Sequence, residues 1–159
     1  MNNLQRLKVF GIGSPFGDDR IGWVVVEMLK QKSELIPYIS KSLYLENLDR
    51  PCVELLDSMR GTKIVILIDA IKSGSPLGTI HQYENPQFEN NLNLFSTHSM
   101  GVMQTLQLGA ALNDLPEQLF LYGIEIGHIN YGEIVSGSIY AAASSLAETI
   151  TSKILNLLI

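Results

Sequence analysis

The chain of 159 residues contains a single cysteine, Cys52, and a single tryptophan. One cysteine cannot form an internal disulfide or supply a cysteine-rich zinc site, so a reducing compartment suits the sequence. Apolar runs are also short, and none approaches the roughly 20 residues that a membrane-spanning helix needs. The amino terminus lacks the pattern of a secretory signal, which is a charged start, a long apolar stretch and a cleavage site. We therefore expect a cytoplasmic protein that does not insert into a membrane.

Positive charge is scarce as well. The chain has 11 basic and 16 acidic residues, a formal net charge of −5, and its basic residues form no cluster that could follow a phosphate backbone. We expect no nucleic-acid partner. Since 46% of the residues are hydrophobic and 17% charged, the composition fits one globular domain over residues 1–159.

Strand and helix patterns alternate along the chain. Strands are predicted at Leu7–Ile12, Ser42–Leu48, Lys63–Ala70, Gly78–Glu84 and Leu119–Ile126, and helices from Asp18, at 53–59, at Ser99–Leu112 and at Ser138–Leu158. The polar segment Asn85–Thr97 shows no periodicity and predicts a long loop. The apolar run "IVILI" is typical of a central strand buried on both faces. This alternation predicts a three-layer α/β domain with a mainly parallel sheet.

Residues able to bind metal follow several of these predicted strands. Asp18 and Asp19 follow the first strand, Asp69 ends the buried strand, and His98 closes the long loop before a helix. In parallel sheets, sites form at the carboxyl ends of the strands, so these side chains are expected at one rim. Carboxylates and an imidazole form an oxygen and nitrogen ligand set that suits Zn²⁺, Ni²⁺ and related ions.

Each of these residues also has a structural interpretation. Asp18 is expected to cap the helix that begins there, although two adjacent acids exceed what a cap requires. Asp69 is harder to explain structurally, because a carboxylate near the core needs a partner or a metal. A lone histidine is more often structural than a ligand, an interpretation that we keep for His81 and His128. Cys52 is interpreted as a small core or surface residue.

The glycines near the amino terminus raise the alternative of a nucleotide site. They are spaced Gly11-x-Gly13-x-x-x-Gly17, one residue off the dinucleotide fingerprint, and no phosphate-loop lysine follows. A pyrophosphate at this helix start would meet Asp18 and Asp19, whose charge repels an anion and attracts a cation. The acid pair therefore favours a metal over a nucleotide.

The stretch "GIGSPFGDDRIG" resembles the opening motif of the [NiFe]-hydrogenase maturation endopeptidases, G-[IV]-G-N-x-x-x-x-D-[DE]-G-x-G. The matching positions are Gly11, Gly13, Asp18, Asp19 and Gly22.

Two further motifs extend the resemblance over nearly the whole chain. "LIDAI" with Asp69 matches the aspartate that ends a central strand in the family, and "STHSMG" with His98 matches the histidine that leads a helix. Two positions of the opening motif depart from the pattern: Ser14 replaces an asparagine and Arg20 replaces a glycine. The segment "ENLDRP" also departs, since it stands where the family has a glycine-and-threonine segment, near residues 46–50.

The resemblance implies an α/β/α sandwich with a twisted, mostly parallel five-stranded sheet. It also implies that Asp19, Asp69 and His98 are the metal-binding and catalytic residues of an endopeptidase. Such an enzyme removes the C-terminal extension of a hydrogenase large-subunit precursor after nickel insertion. The nickel is supplied by the precursor as a recognition signal rather than bound permanently, and the enzyme is expected to be a monomer.

Two questions remain open from the sequence. A carboxylate such as Asp19 or Asp18 could act as the general base, with the metal polarising the carbonyl or activating a water. A non-hydrolytic metal-binding or metal-sensing module could use the same residues. It would bind metal stably in isolation and cleave nothing.

Overall fold

A computed structural model describes residues 6–85, 88, 100–127 and 135–159. The strands are β1 (Leu7–Gly13), β2 (Leu43–Asp49), β3 (Ile64–Ile71), β4 (Ile80–Glu84) and β5 (Gln118–Glu125). The α-helices whose bounds the structure gives are α1 (Ile21–Lys30), α2 (Glu54–Met59), α3 (Met100–Ala111) and α4 (Gly137–Leu158), with 3₁₀ turns at Gly17–Arg20 and Ile36–Tyr38.

The five strands form one sheet in the order β2-β1-β3-β5-β4. Strands β2, β1, β3 and β5 run parallel, and β4 pairs antiparallel with β5 at an edge. The mostly parallel five-stranded sheet confirms the predicted fold class. It also brings the carboxyl ends of β1, β2, β3 and β5 to one rim, where the predicted site residues were expected.

Strand β3 divides the core into two apolar layers, and all eight of its residues are buried. Ile64, Ile66 and Ile68 pack in a cluster that includes the apolar residues of α1 and α4. Val65 and Leu67 pack on the opposite face, in a cluster that includes those of α2 and α3. Successive side chains of a strand point to opposite faces, so a continuous apolar run is what a strand covered on both sides requires. The molecule is an α/β/α sandwich.

The predicted strands and the helices over α1 to α4 are confirmed, with bounds shifted by a few residues. The prediction of a long loop at Asn85–Thr97 is wrong at the two positions described, since Asn85 and Phe88 are helical. Phe88 is fully buried in the layer of α2 and α3. The Asn85 side chain holds the start of this segment, because its Oδ1 accepts from the Leu119 amide at 2.6 Å and its Nδ2 donates to the Pro116 carbonyl at 2.9 Å.

None of the helices in the described ranges combines the length and the apolar character that crossing a bilayer requires.

Candidate active site

The acid pair lies in a 3₁₀ turn that links β1 to α1. The turn covers Gly17–Arg20, and α1 begins only at Ile21, later than the sequence predicted. Gly17 has a φ of 53°, a left-handed conformation that glycine adopts without steric cost. Asp18 and Asp19 are both buried, with 5% and 4% of their surface exposed. Two buried neighbouring carboxylates need specific surroundings.

The glycines around this turn serve the packing of α1 on the sheet. A Cβ atom on Gly22 would lie 2.4 Å from the carbonyl oxygens of both Ile12 and Ile68, and one on Gly11 would lie 2.5 Å from the Gly22 carbonyl. Real Cβ atoms do not approach oxygen so closely, so only glycine lets the start of α1 reach β1 and β3. The motif therefore needs no phosphate to explain it, and the nucleotide alternative loses its main support.

Asp18 does not cap its own helix, and the capping interpretation is wrong. Neither the 3₁₀ turn nor α1 has a side-chain cap. The Asp18 carboxylate instead accepts hydrogen bonds from the amide of Ser136 at 2.8 Å and from its hydroxyl at 2.7 Å. Ser136 directly precedes α4, so Asp18 ties the acid turn to the start of the last helix.

Asp19 and Asp69 line the same cleft at the carboxyl rim of the sheet. The cleft has a volume of about 260 Å³ and is lined by Ile12, Gly13, Asp19, Arg50, Pro51, Cys52, Asp69 and Val102. Both residues are buried, each with only 4% of its surface exposed. Asp69 Oδ1 accepts from the Ala70 amide at 2.8 Å. The topology thus brings two of the predicted ligands together from different strand ends.

The two departures from the family motif fit this arrangement. The Ser14 hydroxyl donates a hydrogen bond to Asp19 Oδ2, so serine supplies a donor in place of the usual asparagine. The Arg20 guanidinium donates to the Pro15 carbonyl at 2.6 Å. Arg20 lines a separate groove with Trp23 and not the cleft. Arg20, although adjacent to Asp19 in sequence, is therefore not part of the cleft wall.

Arg50 lines the cleft on the loop that follows β2. Its Nε donates to Asp49 Oδ1 at 2.7 Å, and its guanidinium lies 5.8 Å from the centre of the Phe16 ring. The hydrogen bond and charge of Asp49 raise the pKa of Arg50, and the charge of Asp19 adds to the effect. Cys52, on the same loop, is exposed, which agrees with its interpretation as a small surface residue.

His98, the third predicted ligand, lies outside the described residues, and so does His128. Among the residues that the structure does describe, no group of three or more histidine, cysteine, aspartate or glutamate side chains could hold a metal ion. The cleft offers two carboxylates. Hard oxygen donors of this kind favour a divalent cation, and further ligands have to come from elsewhere.

Comparison with known proteins identifies the family. The sequence pattern of the HycI hydrogenase maturation proteases matches residues 51–156. The chain belongs to this family. The matched range contains Asp69 and His98, whereas Asp19 precedes it.

One relative of this family member is the hydrogenase expression/formation protein HupD of Thiocapsa roseopersicina, which is 27% identical over 128 residues. That match covers 79% of this chain, and the chain spans 56% of the length of HupD.

Solved structures of hydrogenase maturation proteases share the fold. The hydrogenase maturating endopeptidase HybD from E. coli superposes with a TM-score of 0.74 at 24% identity, covering 95% of this chain and 93% of HybD. The [NiFe] hydrogenase maturation protease HycI from Thermococcus kodakarensis gives 0.71 at 24% identity, with the same coverage of 95% and 93%.

Sequence reasoning did not single out a fourth buried acid, Glu125, of this hydrogenase maturation protease family member. Glu125 lies at the carboxyl end of β5, is 1% exposed and accepts hydrogen bonds from the Ser73 amide at 2.7 Å and the Ser73 hydroxyl. His81 Nε2 lies 3.1 Å from Glu125 Oε1, so this histidine is structural, as expected. Burial raises the pKa of Glu125, but hydrogen bonds from Ser73, His81 and Gly74 outweigh it and hold that pKa below its ordinary value. The sequence feature that could have indicated Glu125 is an acidic residue within the apolar run "LFLYGIEI".

Proposed function

We propose that this chain is an endopeptidase that removes the C-terminal extension of a [NiFe]-hydrogenase large-subunit precursor after nickel insertion. One observation carries the proposal: Asp19 and Asp69, two buried carboxylates from different strand ends, line one cleft. The cleft reaches the surface, since exposed Cys52 lines it as well. Family membership supports the assignment to hydrogenase maturation.

Nickel is part of the substrate in this proposal. Asp19 and Asp69 supply oxygen ligands, and His98 is the predicted nitrogen ligand. A site with so few ligands of its own leaves coordination positions for thiolates that the precursor contributes. Two buried carboxylates on the wall of one cleft favour a bound cation over an anion. A precursor that carries nickel therefore binds better than one that lacks it.

Hydrolysis of the peptide bond needs a base for the attacking water and an acid for the leaving amine. Asp18 is poorly placed for this role, because it does not line the cleft and both of its oxygens accept hydrogen bonds from Ser136. Among the described residues that line the cleft, Asp19 and Asp69 are the carboxylates that could act as the base. The chosen carboxylate accepts a proton from the water as oxygen attacks the carbonyl carbon, and then donates it to the leaving nitrogen.

The test is incubation of the purified protein with a nickel-loaded precursor, followed by mass spectrometry of the precursor. The proposal expects the loss of one defined C-terminal peptide from the loaded precursor and no cleavage of a nickel-free sample. Asp69→Asn should be inactive. Asp57→Asn, which removes an exposed carboxylate on α2, serves as the matched control. If the cognate precursor stays intact in both samples, the non-hydrolytic metal-binding module becomes the better account.

A further inference from the structure

We propose that Arg50 binds a carboxylate of the polypeptide substrate and thereby helps to determine which precursors enter the cleft. The inference rests on the proposed function, because it assigns a recognition role within the same cleft. Three features of Arg50 carry it: its backbone conformation, its exposed and loosely held guanidinium, and its charge relative to the cleft wall.

The backbone of Arg50 is left-handed. Its φ is 42°, a region that arginine rarely adopts and that glycine or asparagine occupies at little cost. The conformation is fixed by a hydrogen bond from the Arg50 amide to the Gly13 carbonyl at 3.0 Å, which holds this loop beside β1. The turn itself thus needs no guanidinium. A strained residue on the wall of a candidate active site points to a function for its side chain.

The guanidinium of Arg50 is exposed and only weakly paired. Its ion pair with Asp49 joins side chains that are 63% and 52% exposed, and such pairs are weak and readily exchanged. The centre of the half-exposed Phe16 ring lies 5.8 Å from the guanidinium, at a cation–π distance. Asp49 accepts from Nε and Nη2, and Nη1 donates to no group among the described residues. Arg50 therefore keeps donors available for a second acceptor.

The charges of the cleft indicate what that acceptor is. Asp19 and Asp69 suit a cation, whereas Arg50 is the one positively charged residue among the described residues that line the cleft. When nickel neutralises the two aspartates, Arg50 remains as a site for an anion. A guanidinium binds a carboxylate through parallel hydrogen bonds, so the matching group on a polypeptide is an aspartate or glutamate side chain or the chain's terminal carboxylate.

The test combines variants of Arg50 with variants of the nickel-loaded precursor. Arg50→Gly should lower kcat/KM about tenfold, mainly by raising KM, and Arg50→Lys should retain part of the effect. Aspartates and glutamates near the cut are replaced singly by asparagine and glutamine, and in a separate arm a Gly-Ser extension displaces the terminal carboxylate. For one of these altered precursors, kcat/KM of the wild-type enzyme should be about tenfold lower than for the unaltered precursor. For Arg50→Gly, the same alteration should leave kcat/KM unchanged.

Two variants control for charge and for backbone strain. Arg60→Ala removes an exposed arginine that pairs with Asp57 and Asp114, away from the cleft. Asn113→Gly relieves another left-handed residue, with a φ of 54°. Both should cleave like the wild type. The thermal midpoint of Arg50→Gly should equal or exceed that of the wild type, because glycine suits this backbone.

Two results would overturn the role of Arg50 while leaving the peptidase in place. In the first, Arg50→Gly cleaves the precursor as the wild type does. In the second, Arg50→Gly loses activity equally on every precursor, its thermal midpoint is lower, and Arg50→Lys recovers no activity. Failure of the wild type to cleave its loaded precursor is a different result. It refutes the proposed function and, with it, this inference.

Discussion

Ser136 donates two hydrogen bonds to Asp18 from 118 positions further along the chain, one from its amide at 2.8 Å and one from its hydroxyl at 2.7 Å. The contact fixes the start of α4 against the turn that carries Asp19. The two adjacent acids therefore have separate roles. Asp18 holds the architecture of the rim, and Asp19 faces the cleft.

Removing the Asp18 carboxylate should destabilise the fold. Asp18→Ala leaves the Ser136 donors without their acceptor, so we expect the free energy of unfolding to fall by about 1–3 kcal/mol, measured by urea denaturation. Ser136→Ala should cost about 1 kcal/mol. The two losses should not add in the double variant, since both remove the same contact. Strict additivity would show that the pair contributes no coupling.

Asp69→Asn should abolish cleavage and spare the fold. The amide cannot act as a base and is a weaker ligand than the carboxylate, so we expect a loss of about 100-fold or more in kcat. The thermal midpoint should not fall, because a neutral side chain of the same size replaces a buried charge. The comparison is with Asp57→Asn under the same assay. An unfolded Asp69→Asn protein would instead assign this aspartate a structural role.

Gly22→Ala should be strongly destabilising. The added methyl group would meet two backbone oxygens at 2.4 Å and force α1 away from β1 and β3, at a cost of about 1–3 kcal/mol or more. Gly137, at the start of α4, is the matched control, because a Cβ atom there meets nothing within 4 Å. Gly137→Ala should be neutral or stabilising by up to about 1 kcal/mol. Equal effects of the two variants in thermal denaturation would contradict this account of the motif.

Glu125 should make the fold sensitive to acid. Its folded-state pKa lies below the ordinary value of 4.5, so the unfolded state binds the proton more tightly. The stabilisation is complete above pH 4.5 and is lost as the pH falls through the folded-state pKa. Glu125→Gln should therefore flatten the pH dependence of the unfolding free energy below this pH, measured by denaturation at several pH values. An unchanged acid profile would exclude a contribution from Glu125.

The sequence predicts local features of this fold better than distant contacts. The apolar run of β3 predicts a strand covered on both faces. Asp69 lies near the carboxyl end of that strand, at the rim, although the strand continues to Ile71. The bond of Asp18 to Ser136 could not be predicted, because nothing local to the acid pair indicates a partner more than a hundred residues away. The left-handed conformation of Arg50 escaped prediction for a related reason. It is imposed by a hydrogen bond to the end of a neighbouring strand.

The most direct test of the account is whether the cleft carboxylates recognise nickel on the precursor. The measurement is the affinity of the protein for nickel-loaded and nickel-free precursor, by calorimetry, for the wild type and Asp69→Asn. We predict that the wild type binds the loaded form about tenfold tighter or more, and that Asp69→Asn binds the two forms equally. Equal binding of both forms by the wild type would contradict the central claim.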